Sequence, residues 1–160
     1  MNYKISNKIA LVTGASRGIG KEICKSLAKD GAIIIACSRN KKNLSKLISS
    51  LPNSEKHFSF NVDLSKRLHL NSFIKKIKNK KISPNIIVNN LGGSLGYTDP
   101  LGPVDEWKQV MSLNVEVALE LNRAFIPHMI KKKWGRICHI SSIASIENQG
   151  SPSYCASKAA

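Results

Sequence analysis

The stretch Thr13-Gly14-Ala15-Ser16-Arg17-Gly18-Ile19-Gly20 decides the fold of this chain. The apolar run at 8–12 precedes it and is typical of a buried strand, and apolar residues after it recur at Ile19, Ile23 and Leu27, which is helix spacing. Its three glycines therefore occupy a strand-to-helix turn. Such a turn lets a pyrophosphate approach the backbone and the positive end of the helix. The alternative is a tight turn that binds nothing.

Strand and helix patterns alternate along the rest of the chain. Apolar runs predict strands at 8–12, 32–37, 57–62, 85–89 and 135–142. Helical patterns occupy 19–29, 41–51, 66–79 and 105–133, and another helix opens after Ser151-Pro152. Ser65 is the predicted cap of the third helix, and Ser151 is the predicted cap of the last one. This alternation predicts an α/β fold: one Rossmann-type domain over 1–160, with a doubly wound parallel sheet and helices on both faces.

Composition narrows the class of protein. The chain has 160 residues, is 42% hydrophobic and has no apolar run near the roughly 20 residues that span a bilayer. No signal-peptide pattern opens it, so we expect a cytoplasmic protein without membrane attachment. The four cysteines lack metal-site spacing, which predicts no metal. The net charge of +15 comes from lysines scattered over several helices without interleaved aromatics, so we expect no nucleic-acid partner.

The end of the second strand bears on which nicotinamide cofactor would fit. An acidic residue there would bind the ribose hydroxyls of NAD, and none occurs between Ala32 and Leu51. Ser38, Arg39 and the nearby Arg17 instead suit a 2′-phosphate. The sequence therefore favours NADP (NADPH) over NAD. The alternative is that Arg39 only begins a solvated helix.

The glycine-rich turn resembles the cofactor turn of the short-chain dehydrogenase/reductase family. In that family an Asp after the third strand reaches the adenine, and Asp63 matches it, followed by Leu64. Asn90-Leu91-Gly92 stands where the family has Asn-Ala-Gly, with Leu91 as a departure. Alone, Asp63 and Asn90 would be turn residues. The resemblance implies cofactor-binding residues Gly14, Ser16, Arg17, Gly18, Ile19, Gly20, Ser38, Arg39, Asp63, Leu64, Asn90, Leu91, Gly92, Tyr154 and Lys158.

The resemblance also implies four catalytic residues. Asn114 lies within a Leu-Asn-Val match and would hold a water in a proton relay; Ser142 precedes Tyr154 by twelve residues and would hold the substrate oxygen. Tyr154 would be the acid or base, and Lys158 would stabilise its phenolate and grip the nicotinamide ribose. Spaced four apart, the last two share a helix face. Without the resemblance, they are a packed tyrosine and a solvated lysine, and Asn114 is a core amide or a kink.

By resemblance, the chain is an NADP(H)-dependent oxidoreductase that interconverts a ketone and a secondary alcohol. The closest pattern is that of 3-oxoacyl-[acyl-carrier-protein] reductases, so the carbonyl substrate is a small molecule or is bound to an acyl carrier. The alternatives are an enzyme acting on a keto-sugar or other small alcohol, and a cofactor-binding remnant without catalysis. Because family members continue into further strands and a substrate loop, we expect this chain to be a poorly active fragment of a homodimer or homotetramer.

Overall fold

The computed structural model describes residues 5–147 and 150–160. Five strands form one sheet in the order β3-β2-β1-β4-β5, and every neighbouring pair is parallel. The bounds are β1 Ile9–Thr13, β2 Ile33–Ser38, β3 Phe58–Asn61, β4 Ile86–Asn89 and β5 Arg136–His139. All five predicted strands are confirmed: β1 and β2 are shifted by one residue, and β3, β4 and β5 are shorter than predicted. The strand order reverses direction between β1 and β4, which makes this the switch point of a doubly wound sheet.

The helices lie between the strands in sequence. Their bounds are α1 Gly18–Lys29, α2 Lys41–Ser49, α3 Arg67–Asn79, α4 Val104–Met111, α5 Val117–Lys131 and α6 Pro152–Ala159. Short 3-10 turns cover Ser54–Lys56 and Ile143–Ser145. In the part of the chain that the structure describes, no helix combines the length and hydropathy that crossing a membrane requires.

Two hydrophobic cores lie on opposite faces of the sheet. Ala10, Val12 and Ile34 pack with the buried face of α1 and α2. Leu11 and Ile35, which point the other way, pack with α3 and α5. Since side chains alternate along a strand, the neighbours Ala10 and Leu11 must enter different cores. Two covered faces confirm the predicted fold class and leave the carboxyl ends of the strands as the open edge for a ligand.

The predicted long helix at 105–133 is confirmed as one continuous helical stretch, with a change of helix type inside it. It starts at Val104, and one π-helical turn, Ser112–Glu116, separates α4 from α5. The predicted apolar stripe is still buried at Val110, Leu121 and Phe125. The π turn has no signature in that periodicity, because it adds a residue locally and keeps the apolar face turned toward the sheet.

Two predicted helix caps differ from the structure. The prediction for Ser65 is wrong: α3 starts later, its first flanking residue is Lys66, and the Ser65 hydroxyl donates to Asp63 Oδ1 at 2.6 Å instead. Ser151 does precede α6, and Pro152 is its first residue, but the Ser151 side chain makes no capping hydrogen bond. Serine identifies the start of a helix only where its hydroxyl is not engaged by a nearer acceptor.

Candidate functional site

A cleft of about 1060 Å³ opens at the carboxyl ends of the strands. It lies at the switch point and extends over the ends of β2 and β3, where open α/β sheets bind ligands. The predicted cofactor residues that line it are Gly14, Ser16, Arg17, Gly18, Ile19, Ser38, Arg39, Asp63, Leu64, Asn90, Leu91 and Gly92. Gly20, Tyr154 and Lys158 are not among its lining residues. The structure thus brings most of the predicted set into one concave surface.

The glycine-rich turn has the shape that a phosphate needs. Gly18 has a φ of +53°, and a Cβ there would meet nothing within 4 Å, so its backbone is open to a ligand. Gly20 is enclosed instead: a Cβ there would lie 2.6 Å from the Gly14 carbonyl oxygen. Among the described residues, no side chain caps the start of α1. The first backbone N–H groups of α1 therefore face the cleft as donors for an anion.

Thr13, the first residue of the glycine-rich stretch, fastens the turn to the end of β4, although it was not predicted to be a site residue. Its side chain is almost fully buried. Its hydroxyl accepts hydrogen bonds from the backbone N–H groups of Asn90, at 3.0 Å, and Leu91, at 2.9 Å, and donates to the Val88 carbonyl at 3.3 Å. Asn90 returns a bond from Nδ2 to the Thr13 carbonyl at 2.9 Å. The only sequence signal is a hydroxyl at the end of an apolar strand.

Three cationic side chains lie near the end of β2. Arg17, Arg39 and Lys41 all line this part of the cleft and are exposed. Arg39 does not begin α2, since Asn40 occupies the capping position and its side chain accepts from the Asn43 N–H at 2.9 Å. Lys41, the first residue of α2, was not predicted to be a site residue, because it belongs to a lysine-rich helix in which no single lysine stands out. Three cations and no acid at the end of β2 form a surface suited to a phosphate.

Asp63 adds a carboxylate at the adjoining end of β3. Burial acts to raise its pKa, but hydrogen bonds from the Ser65 hydroxyl and N–H and the charges of Arg39 and Lys66 outweigh it. The net result is a pKa below the ordinary value, so Asp63 is ionised at neutral pH. Arg39 therefore interacts with the carboxylate as well as lining the cleft.

Gly92 connects the cleft to the predicted catalytic residues. A Cβ at Gly92 would lie 2.5 Å from Asn114 Oδ1 and 2.9 Å from Lys158 Nζ, so both side chains pack against this one residue. Asn114 lies in the π turn and is fully bonded: Oδ1 accepts from the Gly93 N–H at 3.0 Å, and Nδ2 donates to the carbonyls of Gly93 and Val110 at 2.9 and 2.8 Å. The interpretations of Asn114 as a satisfied amide and as a helix irregularity are therefore both correct; the proton-relay role stays a prediction.

Lys158 lies between the end of β5 and Tyr154. Its Nζ donates to the Ile140 carbonyl at 2.8 Å and lies 5.8 Å from the centroid of the Tyr154 ring. Burial lowers the pKa of Lys158 from its ordinary value. Ser141 Oγ donates to the Lys158 carbonyl at 3.0 Å, which holds α6 against the strand end. Ser142 is half-buried, and its hydroxyl accepts from the Ala144 N–H at 3.2 Å.

Further residues line the cleft that the sequence did not predict as site residues. They are Cys37, Asn40, Lys41, Asn43, Val62, Ser65, Gly93, Leu95 and Leu113. Most flank a predicted residue by one or two positions. The signal that could have found them is proximity to strand ends, since the carboxyl end of each parallel strand meets the same edge.

Comparison with known proteins agrees with this geometry. The chain is 33% identical over 156 residues to the 3-oxoacyl-[acyl-carrier-protein] reductase of Haemophilus influenzae, covering 97% of this chain and 64% of that protein. L-sorbose reductase from Gluconobacter frateurii, solved with NADPH and L-sorbose, superposes with a TM-score of 0.89 at 28% identity, covering 99% of this chain and 62% of that one. A 7α-hydroxysteroid dehydrogenase solved with NADH and 7-oxo glycochenodeoxycholic acid gives a TM-score of 0.88, with the same identity and coverage.

The chain thus spans somewhat less than two thirds of the length of these relatives. The family model described as short chain dehydrogenase matches residues 8–160. That match runs from the start of β1 to the end of α6, so it includes the cleft, the Asn114 turn and the Tyr154–Lys158 helix. The chain therefore belongs to the short-chain dehydrogenase family.

Proposed function

We propose that this chain carries the nucleotide site and catalytic residues of an NADP(H)-dependent oxidoreductase that interconverts a ketone and a secondary alcohol. The observation that carries the proposal is the meeting at Gly92. There, the wall of a dinucleotide-sized cleft contacts both Asn114 and Lys158, and Lys158 contacts the Tyr154 ring. The hydride-donating part of a cofactor bound in the cleft would therefore lie beside the Tyr154 phenol and the Lys158 ammonium group.

The residues fit a dinucleotide phosphate cofactor, which would supply the hydride. Gly18 and the start of α1 offer open backbone N–H groups for the pyrophosphate. Arg17, Arg39 and Lys41 offer charge for a 2′-phosphate. Relatives differ on this point, since one solved structure holds NADPH and another NADH. The absence of an acid after β2 supports NADP for this chain.

The chain's own residues would hold and move a proton. In the reducing direction, the Tyr154 hydroxyl gives its proton to the substrate oxygen as that oxygen becomes negative. The Lys158 ammonium lies where it offsets the charge left on Tyr154. Ser142 donates a hydrogen bond to the same substrate oxygen. Asn114, through the carbonyl groups that it fixes, positions a water that returns a proton to the site.

Replacing Tyr154 tests the chemistry. In the native protein, Tyr154→Phe removes only the hydroxyl, so we expect kcat to fall at least a hundredfold, because general acid–base catalysis contributes roughly 10² to 10⁴. The dissociation constant of NADPH should change little. Tyr97→Phe is the matched control, since that hydroxyl bonds to Gln109 outside the site. Turnover retained by Tyr154→Phe contradicts the assigned role.

Replacing Arg39 tests the cofactor. Loss of a charged partner of the 2′-phosphate should weaken NADPH binding by about tenfold, whereas NADH, which lacks that phosphate, should bind nearly unchanged. Lys42→Ala is the control, since Lys42 is an exposed neighbour of Lys41 that does not line the cleft. Equal losses of NADPH and NADH affinity in Arg39→Ala would show that the arginine does not bind the 2′-phosphate.

Exposed apolar side chains that follow Ser142 in sequence, or lie in the loop after β4, support an acyl substrate over a sugar. Ile143 and Ile146, which follow Ser142, are 63% and 83% exposed, and Leu101 in the loop after β4 is 92% exposed. Such surfaces suit a hydrocarbon chain better than hydroxyl groups. The basic surface would complement an acidic carrier protein. Measuring kcat/KM on a 3-oxoacyl thioester and on a keto-sugar decides between the two classes.

Three expectations stay predictions. They are assembly of the whole protein into a homodimer or homotetramer, a cytoplasmic location, and low activity of the 160-residue chain by itself.

A further inference from the structure

A second concavity lies outside the nucleotide cleft, at the free side of the end strand β3. It has a volume of about 420 Å³ and lies between β3 and one face of α3. That volume falls at the lower end of the roughly 300 to 1,000 Å³ of small-molecule sites. Nothing in the proposed reaction uses this groove, which we call the β3–α3 groove.

The floor of the β3–α3 groove is aromatic. Phe60 of β3 and Phe73 of α3 line it and pack edge to face, with ring centroids 5.2 Å apart and planes at 78°. Phe73 is fully buried, so it fixes the position of Phe60, which is only half-buried. A held, partly exposed aromatic ring offers a surface on which a planar ligand can stack.

The rim of the groove carries two cations, Lys76 of α3 and Arg39. His69 lies seven residues before Lys76, two helical turns away on the same face of α3, and adds an imidazole. Asp63 is the one carboxylate among the lining residues; it accepts a hydrogen bond from Ser65, and the charge of Arg39 acts to lower its pKa. The rim therefore carries surplus positive charge above an apolar floor, which is the combination that binds an aromatic anion.

Arg39 and Asp63 line both the groove and the nucleotide cleft. We propose that the β3–α3 groove is a second ligand site for a small aromatic anion, such as an aryl phosphate or carboxylate, and that it communicates with the cofactor site through Arg39. An anion in the groove draws the guanidinium away from a 2′-phosphate. Because coupling between two binding sites is reciprocal, each ligand weakens the other. This coupling, though not the groove itself, rests on the proposed use of NADP.

The test is a titration of the native protein with phenyl phosphate, by ligand-observed NMR, first without nucleotide and then with saturating NAD⁺. NAD⁺ fills the cleft and leaves Arg39 unengaged by phosphate, so binding that persists belongs to another site. Lys76→Ala should weaken it by roughly threefold to fivefold, and Lys75→Ala, an exposed neighbour off the groove, should not. Ser72→Glu, which places a carboxylate on the rim, should abolish binding, while Asn71→Glu should not.

The outcomes separate the groove from the cofactor. Absence of binding, or equal losses in Lys75→Ala and Lys76→Ala, overturns the site, since the latter shows general charge attraction alone. Saturating phenyl phosphate should raise the dissociation constant of NADP⁺ severalfold and leave that of NAD⁺ unchanged. An equal change in the dissociation constants of NADP⁺ and NAD⁺, or no change in either, overturns the coupling. Failure of NADP⁺ to bind at all refutes the proposed cofactor instead, and the Lys76→Ala and Ser72→Glu variants, compared with Lys75→Ala and Asn71→Glu, still report on the groove.

Discussion

At the scale of single residues, the glycines of one turn serve two different physical needs. Gly18 is open and needs only its positive φ, whereas Gly20 is enclosed by atoms of Gly14 and Asn90. Asn90 Nδ2 in turn bonds to the Thr13 and Gly14 carbonyls, so the enclosing atoms are themselves fixed. A side chain at Gly20 would have to displace backbone, not a flexible side-chain end. The open space at Gly18 and the enclosed position of Gly20 fit the two roles that such a turn predicts for them, which are phosphate approach and close helix packing.

Substituting Gly20 by alanine should therefore cost more stability than substituting Gly18. For Gly20→Ala we expect the free energy of unfolding to fall by about 3 kcal/mol, because overpacking against fixed atoms forces the backbone to shift. For Gly18→Ala, the positive φ alone costs about 1 kcal/mol. Urea unfolding of both variants measures the difference. An equal fall in the free energy of unfolding of the two variants would mean that backbone strain, and not the lack of space for a side chain, sets the cost of substitution in this turn.

At the scale of elements, local sequence patterns predicted the strands and helices that depend mainly on local interactions. The runs at 32–37 and 85–89 correspond to β2 and β4, because β-branched and apolar residues flanked by turn residues have few alternatives. The π turn at Ser112–Glu116 could not be predicted in this way. Asn114 bonds there to Gly93, twenty-one residues away, so the feature depends on a tertiary contact. Ser65 failed as a cap for a similar reason, since Asp63 engages its hydroxyl.

The same limit applies to the site. Motif residues that lie at strand ends, such as Arg39 and Asn90, could be assigned to the cleft from the amino-acid sequence, because parallel strands end at one edge. Thr13 could not, because its role is to accept two backbone N–H groups from a strand far away in sequence. The β3–α3 groove could not be predicted from the sequence either, because its aromatic floor is formed by one residue of a strand and one of a helix that meet only through tertiary packing.

The Asn114 side chain should stabilise the π turn and the loop after β4 together. Asn114→Leu keeps the size but leaves the Gly93 N–H and two carbonyls without their partner, so we expect a loss of about 2 kcal/mol and faster hydrogen exchange at the Gly93 amide. Ser112→Ala is the control within the same turn, because its bond to Glu116 is exposed and should matter little. Unchanged exchange at Gly93 would show that the loop does not depend on this amide.

At the scale of the whole molecule, folding buries two of the four cysteines, leaves Cys155 half-buried and exposes the fourth. Cys24 and Cys37 are buried in the two cores on opposite faces of the sheet, and Cys138 is exposed on the end strand β5. Burial raises the pKa of the Cys24 thiol to about 12 and also raises that of Cys37. Because the thiolate is the reactive species, both should be inert until the sheet opens.

We therefore expect iodoacetamide at pH 8 to modify Cys138 first, and Cys24 and Cys37 much later and at similar rates, since the same global opening exposes both cores. NADPH at a hundred times its dissociation constant should slow the two buried thiols by about 100-fold, because it binds only the folded state, and should leave Cys138 unaffected. Peptide mass spectrometry measures all three sites in one experiment. If Cys37, which lines the cleft, reacts as fast as Cys138 without nucleotide, the cleft opens locally and the two cores do not unfold as one unit.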